Sequence, residues 1–539
     1  MSLASALVPE SGADRVETLP IPVPASAWSA LLSVPSQGRK WPGVARAAVT
    51  VALPGLGGLA FGSGSVSAVA TLGAFAVVYG EGRPYRVRWR IVALVGVALV
   101  ALAGIGAAAG ALVHARDASP GWWLLMIGVM TTVVAVGAYV VDALRTGPPG
   151  AFLPLLSVVI ASTLPGAGVP VASVLGWTAL GAASALVVAM SGFPFRPRTP
   201  ERTAVAAAVR DVESMLAENT AHRRRDAVRS LHGAWLCLHD ADLVRPVRGR
   251  APHRLARMLY AAHLRCSAAL RGVPHDAASP EDDLHAQVPL RRPPALHLLA
   301  RARHPHGRTV TILVRLLIAC PVAGVLALVL DTGRPDWAVI TTAMILHQGP
   351  DRVLGMHRAA HRFLGTVVGL VLLAALWYLE PRGAALVLVL AALMAAIEAF
   401  LVRHYGIAMA AITPLAMILG GVGLPGDVGP AIRDRMIETV IGVAVALAVM
   451  WGVLPRAHRR ILVDADDRVA AAVANLTAET GDRERRRLRR DLAFDLQAST
   501  AAAVGAAHTE PRWTADRWAD HHALHEQGYR LLAAPVGSD

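Results

Sequence analysis

Lysine is almost missing: the 539-residue chain has 52 basic residues, and Lys40 is the only lysine among them. A nucleotide-binding P-loop requires Gly-Lys-Ser/Thr. Lys40 stands in "GRKW", so the chain has no such loop and is not expected to power transport with its own ATP. The preference for arginine carries little chemical information in a sequence that writes nearly every base this way. Cysteine is scarce too. Cys237, Cys266 and Cys320 are far apart and lack metal-ligand spacing, which argues against a disulfide framework or a zinc site. No nucleophile–base pair is evident, so neither an enzymatic activity nor a cofactor is expected. Charge is sparse at 17%, against about 25% in soluble domains.

What fills the space is hydrophobic: 54% of residues, with a mean hydropathy of +0.47. Long uncharged runs alternate with arginine-rich patches. Apolar runs of about 18 residues or more read as transmembrane helices, because the hydrocarbon core is about 30 Å thick. The net charge of +14 sits beside these runs and makes no nucleic-acid footprint. The expected fold is all-α and polytopic in a membrane, with two repeated six-helix blocks, each followed by a cytoplasmic helical region.

The first block, 43–195, holds spans at Gly43–Gly62, Ser65–Gly80, Ile91–Val113, Trp122–Leu144, Ala151–Thr163 and Val171–Met190. The second, 309–455, holds Val310–Leu330, Trp337–His347, Phe363–Leu379, Ala384–Val402, Ile407–Gly420 and Met436–Leu454. Several are short for a crossing; either they extend further or they are broken where they face protein or water. Residues 1–42 read as a cytoplasmic tail, since "MSLASALVPESGADRVETLPIPVP" lacks the basic start and long apolar core of a signal peptide. Residues 196–308 and 456–539 are polar, with apolar positions at helical spacing, and the two regions are expected to pack together. A Pro-rich break, "GVPHDAASPEDD", precedes the return to the membrane.

With both termini inside, arginines such as Arg83, Arg86, Arg88, Arg145, Arg301, Arg308, Arg352, Arg403 and Arg456 fall on one side. Arg116, Arg334, Arg382, Arg433 and Arg435 fall on the other. That bias orients the chain in the inner (plasma) membrane with N- and C-termini cytoplasmic. The blocks also echo each other: Arg46 with Pro54 matches Arg315 with Pro321, and Pro154 matches Pro414. An even number of spans per block makes such repeats parallel.

Between Asp336 and Trp377 the sequence "DWAVITTAMILHQGPDRVLGMHRAAHRFLGTVVGLVLLAALW" stops one apolar run, gathers cations, and starts another. This reads as a cytoplasmic turn between two spans. Arg358 and Arg362 are four apart, as are His357 and His361, giving two basic rows aimed at the cytoplasmic mouth. One reading is an anchor snorkelling to lipid phosphates. The other is a vestibule that concentrates organic anions. Gly106/Gly110 and Gly365/Gly369 have the spacing that lets helices approach closely.

Ionisable residues within spans cost at least about 2.5–3.5 kcal/mol, so they face a cavity or a partner. Arg46 and Arg315 occupy matching positions, lining an anion path or serving as structural pairs. Asp142 and Glu398 end corresponding spans shortly before Arg145 and Arg403, where a helix-end ion pair competes with a proton-coupling role. Glu438, in "RDRMIETVIG", is a further proton-coupling candidate. In the tail, His521 and His525 have metal-ligand spacing, but without a third ligand or the HExxH order they read as a solvated helix; no metal is expected. Trp513 and Trp518 read as packing residues.

"WAVITTAMIL" (Trp337–Leu346), "HRFLGTVVG" (His361–Gly369), "YGIAMAAITPLAMIL" (Tyr405–Leu419) and "RMIETVIGVAVAL" (Arg435–Leu447) resemble signatures of the fusaric acid resistance (FUSC) family. That family includes aromatic acid exporters and has plant aluminium-activated malate channels as distant relatives. The resemblance implies an inner-membrane secondary exporter of small organic anions, aromatic carboxylates in particular, coupled to protons. An anion channel and a non-transporting membrane scaffold are the alternatives. Arg46, Arg315, Arg358, Arg362 and His361 are the expected substrate contacts, with Glu438, Glu398 and Asp142 for proton coupling. Expected partners are the organic anion and membrane lipids, with a homodimer as an option suggested by the short spans and GxxxG pairs.

Overall fold

The computed structural model describes residues 41–533 except 117–118, 148–149, 245–252, 272–292, 402, 422 and 424–425. Residues 1–40 of the expected tail and the Pro-rich break at Gly272–Asp283 lie outside the described residues. Apolar helix-forming runs close their own backbone hydrogen bonds, which is the requirement a lipid environment imposes. The first six apolar segments are α1 (Trp41–Ala60), α2 (Gly64–Val78, with 3-10 turns at both ends), α3 (Tyr85–Ala115), α4 (Pro120–Leu144), α5 (Phe152–Thr163) and α6 (Val171–Met190). Polar helices α7 (Thr199–Ala217), α8 (Ala221–Asp240) and α9 (Arg254–Arg271) follow, then a short α10 (Ala295–Arg301). The second apolar set is α11 (Arg308–Val329), α12 (Pro335–Leu346), α13 (Arg352–Leu379), α14 (Ala384–Phe400), α15 (Tyr405–Gly420) and α16 (Val428–Gly452). The chain ends in α17 (Ala457–Ala478), α18 (Asp482–Thr509) and α19 (Pro511–Ala533). Among the described residues there is no strand.

Seven of the apolar helices, α1, α3, α4, α6, α11, α13 and α16, are long and apolar enough to cross a membrane. Their outer faces leave Leu94, Val97, Val187, Val368 and Val371 uncovered, as lipid-facing surface would be. Twelve-residue helices such as α5 and α12 extend only about 18 Å at 1.5 Å per residue. They are correspondingly internal. Every residue of α12 is buried, and in α5 so is every residue from Phe152 to Ser162 except Pro154.

Several helix pairings recur in the two apolar sets. Within the first, α3 packs on α5 and α6, α6 on α1 and α2, and α1 on α2. In the second, α13 packs on α15 and α16, α16 on α11 and α12, and α11 on α12. Between the sets the contacts are reciprocal: α1 lies on α14, and α4 on α11.

The third segment of each set starts earlier than its apolar run. Pro84 precedes α3, and the Asp351 carboxylate caps α13 by accepting the Leu354 N–H at 3.0 Å. The basic patch around Arg352–Arg362 is therefore helix, and the expected cytoplasmic turn shrinks to a few residues ending at Asp351.

The polar helices form two separate bundles, not the single packed unit expected. Helices α7–α9 close a core around Val212, Trp235, Leu238 and Leu259. Helices α17–α19 close others around Val469, Leu492 and Leu496, and around Leu462 and Ala506, against which Trp513 and Trp518 pack. The first bundle is tied to the start of α3 by Arg83–Asp240 and by Arg86–Asp242 at 3.5 Å. The second is tied to the α12–α13 turn by His508–Asp351 at 3.0 Å and to α10 by Arg301–Asp495. Both bundles thus sit at the arginine-rich end of the apolar helices. The three cysteines are buried and unpaired, and burial pushes the Cys237 thiol up to about 12.

Glycine sets the closest helix contacts. A Cβ on Gly110 of α3 would stand 1.9 Å from the Ser162 carbonyl oxygen of α5, and one on Gly365 of α13 would stand 2.5 Å from the Gly406 oxygen of α15. Gly110→Ala should lower stability by about 1–3 kcal/mol or more, the cost of overpacking. Gly176→Ala on α6, with nothing within 4 Å of its Cβ, should not lower the thermal midpoint in detergent. Equal midpoints for the two variants would contradict this packing.

Candidate functional site

The α12–α13 turn, the start of α15 and the inner faces of α17 and α18 enclose a cavity of about 790 Å³ at the arginine-rich end. Its walls carry Arg145, Arg301, Arg308, Arg358, Arg403 and Arg468, with His304, His347, His361, His404 and His458. Acids among them are Asp142, Asp351 and Asp495. Two of these acids have evident structural tasks. Asp142, at the end of α4, accepts from Arg308 Nε at 2.9 Å and Thr309 Oγ1 at 2.6 Å, clamping α4 to the start of α11. The expected pairing of Asp142 with Arg145 is replaced by this clamp; Arg145 instead lies 3.8 Å over the Phe494 ring. Asp495 pairs with Arg301, while burial pushes its carboxyl above the ordinary range.

Arg358 reaches back to the end of α12, donating to the Ile345 oxygen at 3.1 Å and the Gly349 oxygen at 3.4 Å. A cation at a helix C-terminus is favoured by the exposed carbonyls there. His361, one turn along, lines the cavity with its ring 4.9 Å from that of His404. Arg358 and His361 thus both lie on the cavity wall.

Arg362 does not point to the mouth. It is 1% exposed, and its guanidinium is directed inward, 3.0 Å from Met409 Sδ and 3.4 Å from Thr341 Oγ1. Among the described residues it has no ion-pair partner, and its Nε lacks a hydrogen-bond acceptor. Tyr405 Oη and His347 Nε2, both on the cavity wall, are also buried without hydrogen-bond partners. A buried polar group left unpaired costs free energy and points to a ligand or water. The Phe152 and Tyr405 rings stand edge to face at 6.4 Å on the same wall. One wall of the basic cavity therefore carries two aromatic rings and unsatisfied polar atoms, and the buried Arg362 lies near Tyr405.

Toward the opposite end lies a second buried polar group. Arg334 grips Asp336 through Nε at 3.1 Å and Nη2 at 2.5 Å, and also donates to Ser162 Oγ at 3.3 Å. Thr163 Oγ1 donates to the Gly420 oxygen at 2.7 Å, joining α5 to α15. Arg435 lies 4.1 Å over the Trp337 ring, with Glu438 at 3.8 Å; Glu438 is 1% exposed and its Oε1 has no donor.

The remaining expected residues fall elsewhere. Arg46 and Arg88 share the Glu81 carboxylate at 2.6 and 2.9 Å. Glu398 flanks Gly43 together with Glu81, apart from the cavity wall, so it belongs with this cluster. Arg315 donates to the carbonyl oxygens of Val453, Pro350, Met450 and Leu454, closing the end of α16. Neither Arg46 nor Arg315 lines this cavity, and the partners each has are those of the structural pairing weighed for them, a carboxylate for Arg46 and helix-end carbonyls for Arg315. Sequence reading passed over Tyr405, Phe152 and the Arg334–Asp336 pair. Tyr405 opens one of the quoted motifs, and "RPDW" sets opposite charges beside an apolar run, so both carried a signal.

Arg315→Ala should lower stability by about 1.5–3 kcal/mol or more, the worth of hydrogen bonds from a charged group. Arg382→Ala, whose pair with Glu380 is solvent-exposed, should leave the thermal midpoint unchanged. Equal effects would refute the structural role of Arg315.

Comparison with known proteins adds a family. Residues 322–449 match the family described as "Fusaric acid resistance protein-like", which bears out the resemblance read from the second set of helices. A curated relative, the "Uncharacterized membrane protein YvaC" of Bacillus subtilis (strain 168), is 25% identical over 227 residues. That match covers 40% of this chain and 36% of the relative, so it spans about a third of the relative's length. No solved structure matches. With its long apolar helices, the chain is a multi-pass membrane protein.

Proposed function

We propose, on the premise that residues 322–449 carry the fusaric acid resistance protein-like family, that the chain exports small organic anions, aromatic carboxylates above all, as a proton-coupled secondary transporter. The observation that carries this reading is Arg362: a fully buried cation that has no ion-pair partner among the described residues, beside a basic cavity with a wall short of hydrogen-bond partners. An intramembrane cation is stable when an anion or cavity compensates it. A carboxylate supplies the charge and accepts from Arg362 and Tyr405, and an attached ring fits beside Phe152 and Tyr405, where edge-to-face contact is favourable. Arg358 and His361 gather the anion at the mouth.

The repeated packing within the two helix sets supports reading them as parallel repeats that rock against each other, alternating access to the site. Glu438, on the far side of Arg362, is the carboxyl that takes up and releases the coupling proton. Asp142 and Glu398, engaged in structural clusters, do not carry it.

Proteoliposomes loaded with labelled 4-hydroxybenzoate and given a pH gradient test this. Arg362→Gln should reduce efflux by about ten-fold or more, as expected for loss of a charge-assisted bond of about 1.5–3 kcal/mol. Glu438→Gln should abolish gradient-driven efflux yet keep substrate exchange. Wild-type efflux in the R362Q protein would sink the site. Currents that reverse at the anion equilibrium potential, indifferent to pH, would replace the exporter with a channel. No flux and no current would leave the scaffold reading.

The excess of arginine at the bundle-bearing end supports orienting that end toward the cytoplasm of the inner membrane. A cysteine at Arg303 should then resist an impermeant maleimide added to whole cells, while one at Arg382 reacts. The reverse pattern would invert the topology.

A further inference from the structure

The tail bundle contains a group that the transport reading does not use. His521 and His525, four apart on α19, put their imidazoles on one helix face with ring centroids 4.1 Å apart. Both are buried, at 7% and 8% exposure, and so neither belongs to the solvated helix that their sequence suggested. The third ligand missing from the local sequence comes from α17: Asp466, 55 positions upstream of His521. One ligand atom from each of the three residues lies within 4.8 Å of those of the other two.

The charge environment favours an ion there over a simple hydrogen-bonded cluster. The tail is crowded with arginine, and several of its acids use it: Asp464 pairs with Arg468, Glu510 with Arg459 and Asp495 with Arg301. Among the described residues Asp466 has no arginine partner; its ion-pair partner is His521, which balances its charge only when protonated.

We propose that Asp466, His521 and His525 form a divalent transition-metal site of the kind that takes Zn2+, pinning α19 to α17. Two imidazoles and a carboxylate are borderline donors suited to Zn2+ and its neighbours, and three protein ligands leave a position for water. Ser499 of α18 supports the set from outside. Its hydroxyl donates to Asp466 Oδ1 at 2.5 Å and stands 2.9 Å from His525 Nε2. Outer hydrogen bonds of this kind fix ligand orientation. Because α17 and α18 also wall the basic cavity, an ion here would stiffen that wall.

The test uses the full chain, purified in detergent without a histidine tag, stripped with EDTA and titrated with Co2+. A visible d–d band should saturate at one Co2+ per chain and vanish on adding Zn2+. His525→Ala and Asp466→Asn should lose the band, with helicity by circular dichroism unchanged. Ser499→Ala should weaken binding by about ten-fold or more. His522→Ala, next to the cluster but outside it, should keep the band, and Zn2+ should raise the thermal midpoint of the wild type but not of D466N. Absence of a band in the wild-type protein overturns the proposal without recourse to any variant. So does a band that survives both H525A and D466N. The result is independent of transport, since it needs neither substrate nor gradient.

Discussion

A helix of twelve residues cannot reach across a hydrocarbon layer about 30 Å thick, yet its end carbonyls and amides tolerate no exposure to lipid. Helices α5 and α12 have this length, and the chain meets the constraint by enclosing them within the long helices. Their ends then lie inside protein, and each needs a polar partner at depth. Arg358 answers the end of α12, Thr163 ties the end of α5 to Gly420, and Arg334 with Ser162 holds Asp336 in the first turn of α12. The polar interior of this apolar protein follows from the shortness of its central helices.

Close approach makes this enclosure work. Helices α3 and α13 run beside α5 and α15 with glycine at the contact, so backbone meets backbone and no side chain holds the helices apart. The same geometry in both sets brings short helices from each to the middle, where α5 touches α12 and α15. A cavity that begins at the arginine-rich end can therefore approach the centre without opening onto the outer apolar faces. The tail helices α17 and α18 line part of it, so the tail bundle and the apolar helices share one cavity wall.

Arginine has three fates in this chain, and they have different physical consequences. Arg315 and Arg358 are consumed by carbonyl oxygens at helix ends; Arg46, Arg88 and Arg334 are consumed by carboxylates. Among the described residues Arg362 has neither kind of partner, and it is the most deeply buried of the basic patch. A buried charge without a counter-charge is the least stable arrangement of the three. It is also the one on which the proposed anion site rests.

Hydrophobic run length and the clustering of arginine determined, by sequence alone, that the chain is helical, that it is a membrane protein, and where each apolar segment lies. Those features are local: a run is apolar or it is not, and the spacing of Gly365 and Gly369 is visible in five residues. The tertiary structure decided which segments are internal, because burial depends on neighbours, and α5 and α12 look as lipid-worthy as their longer companions. It also decided which arginine is spent. The acceptors that hold Arg315 include carbonyls 135 to 139 positions away, and nothing in the sequence around Arg362 signals that no such acceptor reaches it. Asp466 meets His521 and His525 for the same reason: a side chain's partner is set by which helices pack, and packing is a property of the whole chain.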